Sequence, residues 1–157
     1  FEMGSSRPLD FGHWAAHKLE RLSSYRLRHG QAVSIGLALD TTYSQLAGFV
    51  PEPEWQRILA LLQALGLPLF TPDLARHLDQ DDHAACVLRG LDEFREHLGG
   101  ELTVMLLKGI GEPFDAHEID RGLVVQSVEI LKALQEAHPL SEEFHEHPIA
   151  VERKGTR

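Results

Sequence analysis

The sequence predicts a mainly α, multi-helix domain with one small β-hairpin. Three observations carry that expectation. Apolar residues recur at helical spacing through most of the chain, glycines and prolines punctuate the intervals, and a single run, Leu102 to Leu107, reads as β-rich beside a glycine turn. A chain of 157 residues suffices for one domain that buries roughly two-thirds of its unfolded surface.

The first helix is expected from Gly12 to about Ser24, where Trp14, Leu19 and Leu22 alternate with His17, Lys18, Glu20 and Arg21 on a polar face. Ala32 to Leu46 is largely apolar all round and reads as a buried central helix. Pro51-Glu52-Pro53-Glu54 opens a third helix, Trp55 to Leu65, closed by Gly66 and Pro68, with Leu59, Leu62 and Leu65 assigned to the core. Asp81-Asp82 is read as the cap of a fourth helix from about His83 to His97, ended by Gly99-Gly100. The strand run follows, then a hairpin turn around Gly109-Ile110-Gly111. Asp120 starts the last amphipathic helix, with Leu123, Val124, Val128, Leu131 and Leu134 at core spacing, and a polar tail begins at Pro139.

Composition narrows the function classes. A formal net charge of −9 disfavours general nucleic-acid or anionic-membrane binding, because the electrostatic footprint has the wrong sign. Cys86 is the only cysteine, so no intramolecular disulfide forms, and its setting in Ala84-Ala85-Cys86-Val87-Leu88 reads as a buried helical thiol. The first residues contain no apolar signal core, and the greasiest region, Ile58 to Phe70, is interrupted by Gln63, Gly66 and Pro68. A cytoplasmic location is expected.

The chemistry concentrates near the start. His13 and His17 are four apart, so they share one helix face, and His29-Gly30 follows a turn-like interval that folds back toward them. A catalytic divalent ion takes three protein groups and keeps one position open, and spacing forces no nearby carboxylate into the third place. Paired histidines also occur often on solvated helix faces. Trp14 stands where a His-Glu-x-x-His protease needs its glutamate.

These residues carry a resemblance. Leu9-Asp10-Phe11-Gly12-His13, His17, Glu20 and His29-Gly30-x-Ala32-Val33-x-Ile35-Gly36 keep the register of the sugar phosphate cyclases, the 3-dehydroquinate synthase family. Gly99-Gly100-Glu101-Leu102-Thr103-Val104-Met105-Leu106-Leu107-Lys108-Gly109-Ile110-Gly111 resembles the family's glycine turn, strand and closing Ile-Gly. The resemblance implies that His13 and His29 bind a zinc or cobalt ion and that His17 lies by the substrate phosphate and handles protons. It also implies that Arg7 and Asp10 contact substrate, and Arg95, in a segment that departs from the family's, is the candidate to replace one of its substrate-holding lysines, the other reading being a surface arginine. A glutamate from an N-terminal NAD-binding domain would be the third metal ligand. The implied reaction oxidises a substrate hydroxyl with NAD, eliminates phosphate, reduces, and closes a carbocycle by aldol addition.

Phe1-Glu2-Met3-Gly4 reads as the middle of a longer protein. The expected organisation is a helical metal and substrate domain over 1–138, a polar, disordered tail over 139–157, and an NAD domain outside the chain. On that reading the fragment is inactive by itself and pairs with its own N-terminal domain, and a homodimer, as seen across the family, is the further partner the resemblance offers.

Departures from the pattern point to a divergent branch. Asp10 stands where 3-dehydroquinate synthase has asparagine and resembles the 2-epi-5-epi-valiolone synthase branch, whereas His17 resembles the dehydroquinate branch. A carboxylate at Asp10 accepts hydrogen bonds only, where an amide also donates. Arg7 lies one residue nearer Asp10 than the corresponding arginine, Gln31 replaces the glutamate after His29-Gly30, and Phe94-Arg95-Glu96-His97 replaces a lysine-rich segment. A cyclase of secondary metabolism acting on a sugar phosphate is therefore expected, the alternative being a non-catalytic helical module that binds a metal or a partner. Three further motifs are assigned bland roles. Gly109-Ile110-Gly111 is a turn because Phe114 occupies the third glycine position of a nucleotide loop; His77, Asp79, Asp81, Asp82 and His83 form a solvated loop and cap; His145-Glu146-His147 belongs to the tail.

Overall fold

The central apolar run becomes the hub. In the computed structural model, which describes residues 10–97 and 99–140, the order is α1 (His13–Leu22), α2 (His29–Leu46), α3 (Glu52–Ala64), α4 (Arg89–His97), β1 (Val104–Gly109), β2 (Glu112–Ala116) and α5 (Arg121–Ala137). Helix α2 touches α1, α3, α5 and β1, which explains why it is apolar all round: Ile35, Ala38 and Leu39 have no exposed surface. It begins three residues before the expected start, so His29 is its first residue.

Several polar residues of α2 are buried too, and three of them, Thr42, Tyr43 and Ser44, reach a neighbouring element. Thr42 and Ser44 return their hydroxyl protons to the carbonyls of Ala38 and Asp40, at 2.8 and 2.7 Å. Their oxygens then accept from Trp55 Nε1 of α3 at 3.0 Å and from the Leu107 N–H of β1 at 3.4 Å. The Tyr43 hydroxyl accepts from the Asp120 N–H at the start of α5, at 3.0 Å. Three consecutive residues of α2, pointing in different directions, thus hold three other elements.

Helix α1 packs antiparallel to α2's direction of travel at its N-terminal end, backbone against backbone. Gly12 caps α1 in the left-handed region at φ 79°, and its carbonyl oxygen lies where a Cβ on Gly36 would stand. The polar face expected for α1 is corrected at Lys18. That side chain is buried against α4, where Nζ donates to the Ala84 carbonyl at 2.9 Å and to Glu93 Oε1 at 2.6 Å, while Arg21 pairs with the other Glu93 oxygen. The lysine stem covers apolar surface and only its head is paired. Replacing Glu93 by alanine strands a buried ammonium, and urea unfolding is expected to show a loss of about 2–3 kcal/mol.

The fourth helix is also corrected. It starts at Arg89 rather than near His83, because residues 81–88 form successive three-residue turns closed by Cys86 N–H to His83 O, Arg89 N–H to Cys86 O and Gly90 N–H to Val87 O. Cys86, Val87 and Leu88 are fully buried in those turns, so the thiol is buried but not helical, and burial pushes its pKa up. A 3-10 turn at Pro72–Ala75 carried no expectation.

The antiparallel hairpin forms as expected, pairing Val104 with Ala116 and Leu106 with Phe114 around Gly111. Asp120 caps α5, its Oδ1 accepting from the Leu123 N–H at 3.1 Å. Val124, Val128 and Leu131 enter the core, with Leu123 and Leu134 at its margin. Among the described residues no helix is long and apolar enough to cross a membrane. The tail from Ser141, including His145-Glu146-His147, lies outside the described residues.

Candidate metal centre

The antiparallel seating of α1 on α2 brings three imidazoles together. Ring centroids lie 5.6 Å apart for His13 and His17, 5.6 Å for His13 and His29, and 6.4 Å for His17 and His29. His13 opens α1, His17 follows one turn later, and His29 opens α2.

The surroundings of two of these rings set their tautomers. His13 Nδ1 lies 3.2 Å from the Phe11 carbonyl oxygen. A carbonyl only accepts, so Nδ1 carries the proton and Nε2 presents a lone pair. His29 Nδ1 lies 3.2 Å from Glu20 Oε1, with the same consequence. A ring nitrogen free to bind a cation, oriented through its other nitrogen by a carbonyl or carboxylate, is the arrangement of metal-bound histidine. The donor set therefore fits a borderline ion such as zinc or cobalt. Among the described residues no three His, Cys, Asp or Glu groups are placed to hold an ion together, so the two histidines need a further ligand.

His17, like His29, is exposed, and desolvation among the rings, followed by charge on His13, holds its pKa below the ordinary histidine value against the opposing pull of Glu20. A neutral imidazole at neutral pH can accept a proton.

Asp10 is exposed at the entry to α1, and Arg7 lies outside the described residues. Arg95 is on the wall of a cleft of about 420 Å³ that also meets Asp92, Glu101, His117, Glu118 and Arg121, and the three clustered histidines are not among its lining. Arg121 is held there by both Asp92 oxygens at 2.9 and 3.0 Å, leaving Arg95 as the exposed guanidinium of that wall. The loop with His77 stacks that ring on His83 at 3.6 Å, and Asp81 pairs with Arg121 at 3.5 Å, which agrees with a surface role. The described elements include no strand, glycine-rich turn and helix in succession.

One residue of this region carried no expectation. Asp40 of α2, 2% exposed, accepts from the Gly12 N–H at 3.0 Å and from Trp14 Nε1 at 2.8 Å. Its signal was present: Asp40 is the one charged residue between Ala32 and Leu46.

Comparison with known proteins agrees with the fold. The family model for the 3-dehydroquinate synthase C-terminal region matches residues 1–86. The 3-dehydroquinate synthase of Aeropyrum pernix is 41% identical over 113 residues, 71% of this chain and 29% of that protein. That of Mesorhizobium japonicum is 33% identical over 144 residues, 90% of this chain and 36% of that protein. A solved structure of the 2-epi-5-epi-valiolone synthase ValA from Streptomyces hygroscopicus, with NAD+ and Zn2+ bound, superposes with a TM-score of 0.69 at 25% identity, covering 80% of this chain and 33% of that one. The chain spans about a third of the length of the curated relatives it matches. With the family model matched over more than half of its residues, the chain belongs to the 3-dehydroquinate synthase C-terminal domain family.

Proposed function

We propose that this chain is the helical metal and substrate domain of a sugar phosphate cyclase, a phosphate-eliminating carbon–oxygen lyase of secondary metabolism, completed by an NAD-binding domain outside these residues. The observation that supports it most is the pair His13 and His29, whose rings lie 5.6 Å apart with each Nδ1 engaged and each Nε2 without a partner among the described residues. The relatives' names supply the reaction class, and the Zn2+ and NAD+ bound by ValA supply the cofactor classes. Residues 1–138 act as the domain and 139–157 as its tail.

His13 and His29 would hold the ion, with a third ligand from the completing domain. When bound, a divalent cation supplies Lewis acidity toward a substrate hydroxyl or carbonyl. The chain's own residues do the rest of their part around it. Glu20 keeps His29 in its Nδ1–H form and raises the basicity of Nε2. His17 accepts or returns a proton at the substrate as phosphate departs. Asp10 accepts hydrogen bonds from substrate hydroxyls, and Arg7 and Arg95 supply forked donors for its anionic groups. Alone the chain lacks the hydride acceptor and turns over no substrate.

The test is zinc binding by calorimetry to this chain, to His13→Ala and His29→Ala, and to the same residues carried in one polypeptide with the upstream nucleotide domain. Tight binding in the longer polypeptide, weakened about 100-fold or more by either substitution, is expected. Equal binding by the short and long chains, or binding indifferent to both substitutions, overturns the reading in favour of a self-sufficient binding module.

A further inference from the structure

From the seating of α1 on α2 we infer that Asp40 is a positioning residue for the metal pair: its carboxylate grips the two N–H donors that flank His13 and thereby sets the separation of His13 from His29. The inference rests on the metal-centre reading above.

The geometry is specific to this role. Residues 29, 33, 36 and 40 advance by four, three and four, so they lie on one face of α2. That face carries His29 at its first turn, the backbone contact of Gly36 with Gly12 in the middle, and Asp40 one turn further. Each Asp40 oxygen takes one donor, Oδ2 from the Gly12 N–H at 3.0 Å and Oδ1 from Trp14 Nε1 at 2.8 Å. Gly12 and Trp14 are the two neighbours of His13 in the chain, so the ring is held from both sides by a group rigidly joined to His29.

The chemistry is costly for packing alone. Asp40 has no cation partner among the described residues, and a buried carboxylate without one is strongly disfavoured relative to an apolar side chain of the same volume. Gly12 supplies no side chain to cap α1, and its φ of 79° leaves its N–H directed away from the helix axis toward α2. A hydrocarbon at position 40 would fill the space but leave the Gly12 N–H and the indole N–H without acceptors. Only an acceptor with two oxygens satisfies both donors, and both donors belong to the residues that aim His13. The indole is also wedged from the far side, since Gly90 of α4 stands close to Trp14 Cε3 and Lys18. The clamp therefore acts on a ring already confined, which makes it a fine adjustment of α1's entry rather than a general tether.

Zinc alone is the probe, titrated into the polypeptide that carries this chain together with the nucleotide domain, with the imidazole nitrogen resonances of His13, His17 and His29 and the Trp14 indole N–H as readouts. Asp40→Asn preserves volume but presents an NH2 to one of two donors. It is expected to unfold cooperatively and to bind zinc about 10-fold to 100-fold more weakly than the parent; in the metal-free chain the same variant releases His13 from its Nδ1–H form. Trp14→Phe removes one donor and is expected to lose a smaller part of the affinity. Glu93→Ala, which weakens α1 against α4 without touching Asp40, is expected to leave zinc affinity within about twofold. Parental affinity and parental His13 resonances in Asp40→Asn overturn the inference while leaving the metal reading intact. Should Asp40→Asn fail to fold, parental affinity in Trp14→Phe overturns it instead. Zinc binding that ignores His13→Ala and His29→Ala overturns the metal reading, and the inference with it.

Discussion

Gly36→Ala is expected to destabilise the chain by about 3 kcal/mol or more, among the larger effects of a single methyl group. A Cβ at Gly36 would lie 2.0 Å from the Gly12 carbonyl oxygen, 2.9 Å from its carbon and 3.1 Å from its Cα. All three atoms are backbone, so no side chain can swing aside. The reverse contact is also closer than any real Cβ tolerates, because a Cβ on Gly12 would meet Leu37 N at 2.6 Å. The entry of α1 has to retreat by roughly 1 Å or more to restore ordinary contact, and that retreat pulls Gly12 and Trp14 from Asp40 and His13 from His29. For a chain of this length the loss corresponds to a fall in Tm of about 6–12 °C, read by circular dichroism, together with weakened zinc binding. Gly30 supplies the contrast. It too belongs to the His-Gly signature, but nothing lies within 4 Å of a Cβ built there, so Gly30→Ala should be neutral or should stabilise by about 0.5–1 kcal/mol through backbone entropy. A Gly36→Ala chain as stable as the parent would refute the close backbone contact.

The same glycine shows what a sequence can and cannot disclose. Local pattern was sufficient where one element decides its own fate: the apolar run of α2, the Asp120 cap of α5 and the glycine turn of the hairpin all fold as their residues dictate. His13, His17 and His29 were legible as a cluster because four-residue spacing and a short turn are local geometry. Where two elements decide together, the pattern misled. Asp81-Asp82 looks like a cap, yet burying Cys86, Val87 and Leu88 together requires turns rather than a helix, which would carry one of the three away from the core. Lys18 looks like a solvent residue until α4 places Glu93 beside it. Asp40 meets Gly12 across 28 positions and Trp14 across 26, and no periodicity encodes a contact of that span. Its one local trace, a lone charge in a buried helix, is a sign of a partner but not of which partner.

Asp40 should also make stability depend on pH in an unusual direction. Burial raises its pKa from 3.8 to about 7, against the opposing hydrogen bonds from Trp14 and Gly12. A carboxyl whose folded pKa lies above its unfolded one binds its proton more tightly in the native state. Its contribution is therefore fully present below pH 3.8, declines as pH rises from there, and is lost above about 7. The slope approaches 1.4 kcal/mol per pH unit over that window, a difference of about 4 kcal/mol across it. Paired surface carboxylates such as Glu93, whose pKa is lowered chiefly by Lys18 once its own burial is overcome, push the other way, so the net profile of the parent alone is not diagnostic. The difference between parent and Asp40→Asn is, because every other group cancels. Urea unfolding of both chains at half-unit steps from pH 4.5 to 8 should show the parent's advantage over Asp40→Asn shrinking by about 3 kcal/mol between pH 4.5 and 7 and then levelling. A difference that stays constant across that range, or grows with pH, would mean that Asp40 is ionised in the native state throughout, with its two N–H donors outweighing the burial of its charge.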